Sequence, residues 1–99
     1  MELIKTPNLL EEKNKHIQKA LSFGNTKVVN MQLQAGEKIA EHDSAADVVI
    51  IVRNGKVLFK VEGQSVEVTP DTILHMEPKE KHSLTAMEPS DLLVLQITP

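Results

Sequence analysis

"GEKIAEHDSAADVVIIVRNG", residues 36–55, holds one histidine, His42, in a polar stretch just ahead of a run of β-branched residues that ends at Asn54-Gly55. Val48 to Val52 has the composition of a strand, since branched side chains fit a pleated surface better than a helix. Asn-Gly after such a run signals a two-residue hairpin, whose central positions both need positive φ. His42 therefore stands either at the mouth of a pocket, as a ligand, or on the surface at the start of a strand.

Outward from this segment the period stays at two. KVVNMQLQAG, residues 27–36, places Val29, Met31 and Leu33 on one face and ends at Gly36. DVVIIVRNGKVLFKVEGQSVEVT, residues 47–69, reads as three strands joined by turns at Arg53-Asn54-Gly55-Lys56 and Glu62-Gly63-Gln64. TILHM, KHSLTAM and DLLVLQI follow as further strands, set off by Pro70-Asp71, Glu77-Pro78 and Glu88-Pro89. Turn signals every ~8–12 residues specify an antiparallel sandwich or barrel. Val48 to Val52 and Leu92 to Leu95 are apolar on both faces, so their outer face needs cover too. The N-terminal segment or a second copy could supply it, and a homodimer is expected.

Before residue 27 the pattern is less decisive. After Pro7, NLLEE offers Asn8 as an N-cap with Glu11 three residues on, which predicts a short helix over residues 8–13. KHIQKALSF fits a helical continuation through Ile17, Ala20 and Leu21, or a strand with Ile17 and Lys19 on one face. Both readings stay open on pattern alone. Glu11-Glu12-Lys13-Asn14-Lys15 reads as a solvated face and His16 as a surface residue.

Ninety-nine residues make a single domain, 1–99, with one modest core. Hydrophobic content of 40% and charged content of 25% are those of a globular chain. With two Phe and no Tyr or Trp, the core must be aliphatic, with Met31, Met76 and Met87 as filler. That aromatic shortage and a net charge of −3 argue against a nucleic-acid partner. The absence of cysteine excludes disulfides, zinc ribbons and thiol catalysis. No apolar run approaches the ~20 residues of a membrane span, and the first residues lack a signal-like core. A cytoplasmic location with no membrane partner is the expectation.

The spacing around His42 resembles the first motif of the cupin superfamily: Gly, five residues, His, one residue, His, three or four residues, Glu, six residues, Gly. Gly36, His42 and Gly55 fall on that spacing, with Ser44 at the second His position and Val48 at the Glu position. In the second motif His82 matches the His. Asp71, Glu77 and Lys79 stand where family members have Gly, Pro and Gly, and Ala86 where they have Asn. "AGEKIAEH", "VVIIVRNGKV" and "EKHSLTA" are similar to their counterparts, and the stretch from about residue 15 to 98 resembles a small single-domain cupin with a degenerate metal motif. The resemblance implies an all-β, double-stranded β-helix or jelly-roll barrel, here with the short N-terminal helix.

The resemblance also implies a ligand set, of which His42 and His82 remain. Catalytic zinc uses about three protein ligands and an open position, and non-haem iron commonly two His and a carboxylate. His75, on TILHM, is the candidate third metal ligand. Asp47, Glu41 and Asp43 neighbour motif positions and face the other way on a regular strand. Ser44 and Val48 become pocket positions. The implied cofactor is a divalent metal, zinc, iron, nickel or manganese, or the pocket works with none.

Val48, Ile50, Val52 and Leu84, with His42, Ser44 and His82 as polar points, describe a small-molecule site. A binding module for a small molecule or a weakly held metal is therefore the first reading. A metal-dependent enzyme of oxygenase or isomerase type, using His42, His82 and His75, is the alternative. A surface for a partner protein is the third. The fold does not choose among them.

Overall fold

Every segment read with period two is a strand, and two more join them. The computed structural model describes residues 1–99 and contains nine strands and no helix: β1 Lys15–Phe23, β2 Thr26–Leu33, β3 Lys38–His42, β4 Asp47–Asn54, β5 Val57–Val61, β6 Gln64–Val68, β7 Ile73–Met76, β8 His82–Ala86 and β9 Ser90–Ile97. They form two antiparallel sheets, a five-stranded one in the order β1-β2-β9-β4-β7 and a four-stranded one in the order β3-β8-β5-β6. The inner faces meet in one cluster of 12 buried residues, aliphatic apart from Phe59 and Met76. The all-β jelly-roll expectation holds.

Register defines layers along the barrel. At the sealed end Val57 pairs with Val68 and Ala86, opposite Leu33 and Leu92, and none of the five is more than 1% exposed. The next layer pairs Phe59 with Leu84 on one sheet, and Ile50 with Val94 and Val94 with Val29 on the other. The last layer pairs Val61 and His42 with His82, while Gln96 pairs with Lys27 and Val48. Apolar side chains thus fill one end, each contributing roughly 1.5–3 kcal/mol, and polar groups enter only at the other. That end is the mouth.

The helix expected over residues 8–13 is absent; a single turn takes its place, with the Glu12 and Lys13 amides both 3.0 Å from the Leu9 carbonyl. Asn8 Oδ1 accepts from the Leu10 amide at 2.8 Å, two residues on, rather than capping a helix at the third. The remaining backbone groups find tertiary partners. Gln32 accepts from the Leu9 amide and donates to the Pro7 carbonyl, and Gln34 donates to the Leu10 carbonyl. Side-chain amides from β2 have replaced the ladder that a helix would need. KHIQKALSF is a strand, closed onto β2 by the Gly24-Asn25 turn.

Asn54-Gly55 is not a hairpin. β4 pairs with β7 and β9, while β5 pairs with β6 and β8, so the turn carries the chain from one sheet to the other. Only Gly55 has positive φ, +95°, and a Cβ there would lie 2.3 Å from Ser90 Oγ and 2.5 Å from the Pro89 carbonyl oxygen. The hairpin with positive φ at both central residues is Glu62 (47°) and Gly63 (82°), which closes Val61 onto Gln64.

The outer face of the five-stranded sheet is covered at one corner. Asn30, Gln32 and Asp91 point outward yet are at most 5% exposed. Arg53 grips Asp91 through Nη2 at 2.9 and 2.8 Å and donates through Nη1 to Thr6 Oγ1 at 2.9 Å. Asn30 donates to Asp91 Oδ1 at 2.7 Å, and Gln32 to Asn30 Oδ1 at 3.1 Å. Elsewhere Val49, Ile51, Leu93 and Leu95 are half-buried, and Phe23 (61%) and Ile73 (70%) are exposed.

Candidate functional site

His42 ends β3 and His82 begins β8, and antiparallel pairing sets them directly opposite each other. Their rings meet edge to face, centroids 4.3 Å apart at an interplanar angle of 63°. Each imidazole is oriented by the backbone two residues upstream: His42 Nδ1 lies 2.9 Å from the Ala40 carbonyl and His82 Nδ1 3.1 Å from the Glu80 carbonyl. A carbonyl can only accept, so both Nδ1 atoms carry a proton, which in the neutral tautomer leaves the lone pair on Nε2. His82 is 5% exposed, whereas His42 sits at the rim. No side-chain nitrogen or oxygen sealed from solvent lacks a partner. The free Nε2 of His82 is therefore reached by solvent, on a residue that lines a cavity.

That cavity has a volume of about 200 Å³ and lies between the sheets. Val29, Met31, Ile39, Val48, Ile50, Phe59, Leu84 and Val94 are among its walls, with His42, Ser44, His82, Gln96 and Lys27 as polar points. Of the residues read as pocket positions, Ser44, Val48, Ile50 and Leu84 line this cavity. Val52 does not: it is 2% exposed and belongs to the sealed core, away from the cavity. Ser44 accepts the Ala46 amide at 3.1 Å through Oγ, leaving its proton free to donate. Its carbonyl accepts from the Lys79 amide at 2.7 Å, tying the two loops of the mouth together. Lys79 itself has φ +71°, the left-handed conformation, at a position where the resemblance has glycine.

His75 is not brought to this site. Strand alternation turns it outward, 54% exposed, with Nε2 2.8 Å from Asp47 Oδ1 on the same outer face. The third-ligand role expected of it is geometrically closed, because Val49, its partner on β4, faces away from the cavity while Val48 faces in. Val48 presents methyl groups where the family's ligand set has a carboxylate. No three His, Cys, Asp or Glu side chains are grouped so as to hold a metal ion. Two imidazoles are fewer than the three protein ligands of a catalytic zinc, so the residues present do not fit a resident catalytic metal.

Lys27 and Gln96 went unnoticed in the sequence, although Lys27 alternates in phase with Val29 and Met31. Both also line a more polar groove of about 340 Å³ beside the cavity, with Ser22, Asn25, Thr26 and Ser44. The two hollows share Lys27, Ser44 and Gln96.

No protein-family model and no curated protein sequence matches the chain. Solved structures do. An RmlC-like cupin family protein with a double-stranded β-helix fold from Methanocaldococcus jannaschii superposes with a TM-score of 0.84 at 15% identity, over 99% of this chain and 91% of that one. A conserved protein of unknown function from Streptococcus pyogenes gives 0.83 at 18% identity, over 100% and 91%. Salicylate 1,2-dioxygenase from Pseudoaminobacter salicylatoxidans gives 0.70 at 18% identity, over 74% of this chain and 21% of that enzyme. At these identities the likeness shows the fold, which is the cupin double-stranded β-helix.

Proposed function

We propose that this cupin barrel is a binding module for a small molecule, seated between the sheets and hydrogen-bonded to His82 and His42, with at most a weakly held divalent metal. One observation carries the reading: His82 lines a mostly apolar cavity and its Nε2, which has no protein partner, is open to solvent. A ligand that donates to this nitrogen takes the place of solvent there, and such an exchanged hydrogen bond is worth roughly 0.5–1.5 kcal/mol. A few polar groups converging in an apolar cavity are the usual make-up of such a site.

The alternative, a metal-dependent enzyme, draws on the same pair of Nε2 atoms. It has to find its remaining ligands in solvent or substrate, since His75 lies outside the cavity. Elemental analysis of untagged protein, purified without chelator or added metal, separates the readings. Metal far below one equivalent supports the binding module. Near-stoichiometric zinc, iron, nickel or manganese overturns it in favour of the enzyme. Long-range ¹H–¹⁵N spectra at alkaline pH report the ring tautomers; Nδ1–H on both histidines supports the lone-pair geometry, and Nε2–H on His82 removes it.

No helix of the chain is long and apolar enough to cross a membrane, and a cytoplasmic module remains the working proposal. Its second partner, on the same proposal, is another copy of the chain, packed on the outer face of the five-stranded sheet.

A further inference from the structure

The cavity has a charge at its mouth that the imidazole pair does not explain. Lys27 pairs with Gln96 on β9 and with Ser22 on β1, which sets it on the inner face in phase with Val29 and Met31. Its side chain lines both the apolar cavity and the polar groove beside it. It takes part in no ion pair, whereas Lys15, Arg53 and Lys56 each have a carboxylate partner. A lysine on an inward strand position lays its methylene stem along apolar surface and carries its ammonium to the opening. His42 and His82 stand on the four-stranded sheet at the same end of the barrel, so the ammonium and the lone pairs face one hollow from opposite sheets. The opposite rim is acidic, with Glu41 and Asp43 flanking His42 beside Lys81, which steers an anion toward the Lys27 side.

Resting on the binding-module reading above, we propose that the occupant is a small aliphatic monocarboxylate carrying a hydrogen-bond donor at its other end. Its carboxylate meets Lys27 at the mouth, its chain lies against Val29, Ile50 and Val94, and its donor reaches His82 Nε2. The size follows from the cavity: about 200 Å³ is room for roughly six or seven water volumes at ~30 Å³ each. The single charge follows from Lys27 being the one lysine or arginine that lines the cavity. Phosphate recognition generally brings an arginine fork, backbone amides or a helix N-terminus. Here the chain has no helix and its one arginine is engaged by Asp91.

The test uses three probes, 5-hydroxypentanoate, its neutral amide and pentanoate, titrated into methyl-labelled protein, wild type and Lys27→Gln. Lys27 is exposed and makes no ion pair, so the substitution leaves the fold intact. The expected result is that 5-hydroxypentanoate shifts the Val48, Ile50, Leu84 and Val94 methyls and binds roughly two- to five-fold more tightly than the amide. A solvent-exposed ion pair contributes about that much. Lys27→Gln and high salt should both erase the advantage without changing the amide's affinity. Pentanoate should bind more weakly than 5-hydroxypentanoate, because it leaves His82 Nε2 unpaired. If acid and amide bind alike and Lys27→Gln changes nothing while the cavity methyls still move, the carboxylate assignment is overturned and the cavity reading stands. If none of the probes moves a cavity methyl, both are overturned.

Discussion

At Ser44 and Val48 a hydroxyl and two methyls occupy places where the cupin motif that the sequence resembles has an imidazole and a carboxylate. Val48 is 3% exposed and lines the cavity beside His42 and His82, so its Cβ already points where a carboxylate would be needed. The double variant Ser44→His, Val48→Glu should therefore bind zinc at least roughly ten-fold more tightly than wild type by calorimetry, a gain of about 1.4 kcal/mol. The metal-free variant should lose stability, because an ionised group is buried without a partner, and zinc should raise its melting temperature by mass action. Equal zinc affinity in the two proteins would mean that position 48 does not face the imidazoles. A second residue-scale outcome concerns Gly55. Gly55→Ala should cost on the order of 2–4 kcal/mol in urea denaturation, combining a positive φ with a Cβ driven into the Pro89–Ser90 backbone; a loss under 1 kcal/mol would mean that the corner relaxes freely. Much of the site was legible at this scale. The resemblance to the first cupin motif, carried by the spacing from Gly36 to His42 and Gly55, pointed to one imidazole and to Ser44 and Val48 as pocket positions, and His82 followed from the second motif. Lys27 was equally legible by alternation but carries no motif, and His75 was misread because a strand's face cannot be fixed until its register with β4 is known.

Elements were legible wherever one face is buried and the other is wet. β2 and β5 to β8 follow from alternation and turn residues, and β4 and β9 from apolar runs bounded by turn residues. β3 does not, because its two apolar residues, Ile39 and Ala40, are adjacent and mark no period of two. The helix expected at residues 8–13 fails for a different reason. Local capping signals are worth about 1 kcal/mol, and tertiary hydrogen bonds from Gln32 and Gln34 outbid them. Asn54-Gly55 has the residues of a hairpin and serves as a corner, since pairing partners are chosen by the whole barrel and not by the turn. The network that holds the N-terminal segment down is the testable element. Asp91 is 5% exposed and accepts from Arg53 and Asn30 together. Asp91→Ala leaves a guanidinium and an amide without their acceptor, and removing one partner of a buried pair costs ~3–5 kcal/mol. Because Arg53 is a third exposed, the expected loss is nearer 2–3 kcal/mol after allowing for screening by solvent. Hydrogen exchange should quicken first at Leu9 and β2. A loss below about 0.5 kcal/mol, or protection unchanged at Leu9, would show that the segment is held by something other than this network.

At the scale of the whole molecule the double-sided apolar strands pose the remaining question. β4 and β9 send Val48, Ile50, Leu92 and Val94 into the core, and Val49, Ile51, Leu93 and Leu95 onto the outer face, where they stay only half-buried. Five strands at ~4.8 Å spacing and about eight residues at ~3.3 Å rise present a face of roughly 24 by 26 Å, on the order of 600 Å². Less the corner that the N-terminal segment covers and the short β7, two such faces together bury at most about 1,200 Å², the lower bound for a specific, stable interface. A second copy placed face to face would therefore hold by a margin that depends on concentration. Sedimentation velocity should show a monomer–dimer equilibrium shifting across the micromolar range. Ile73, 70% exposed at the edge of that face, is the residue to charge, because a buried aspartate without a partner costs more than so small an interface can return. Ile73→Asp should sediment as a monomer at every concentration with an unchanged circular dichroism spectrum and melting curve measured in the dilute limit. Wild-type protein that stays monomeric at hundreds of micromolar would assign the face to a different occupant. A dimer that survives Ile73→Asp would move the contact elsewhere on the barrel. The mouth at Lys27 and His82 opens at the end of the barrel rather than through this outer face. Ligand binding and dimer formation should accordingly be independent, and the hydroxypentanoate titration should give the same affinity in Ile73→Asp as in wild type.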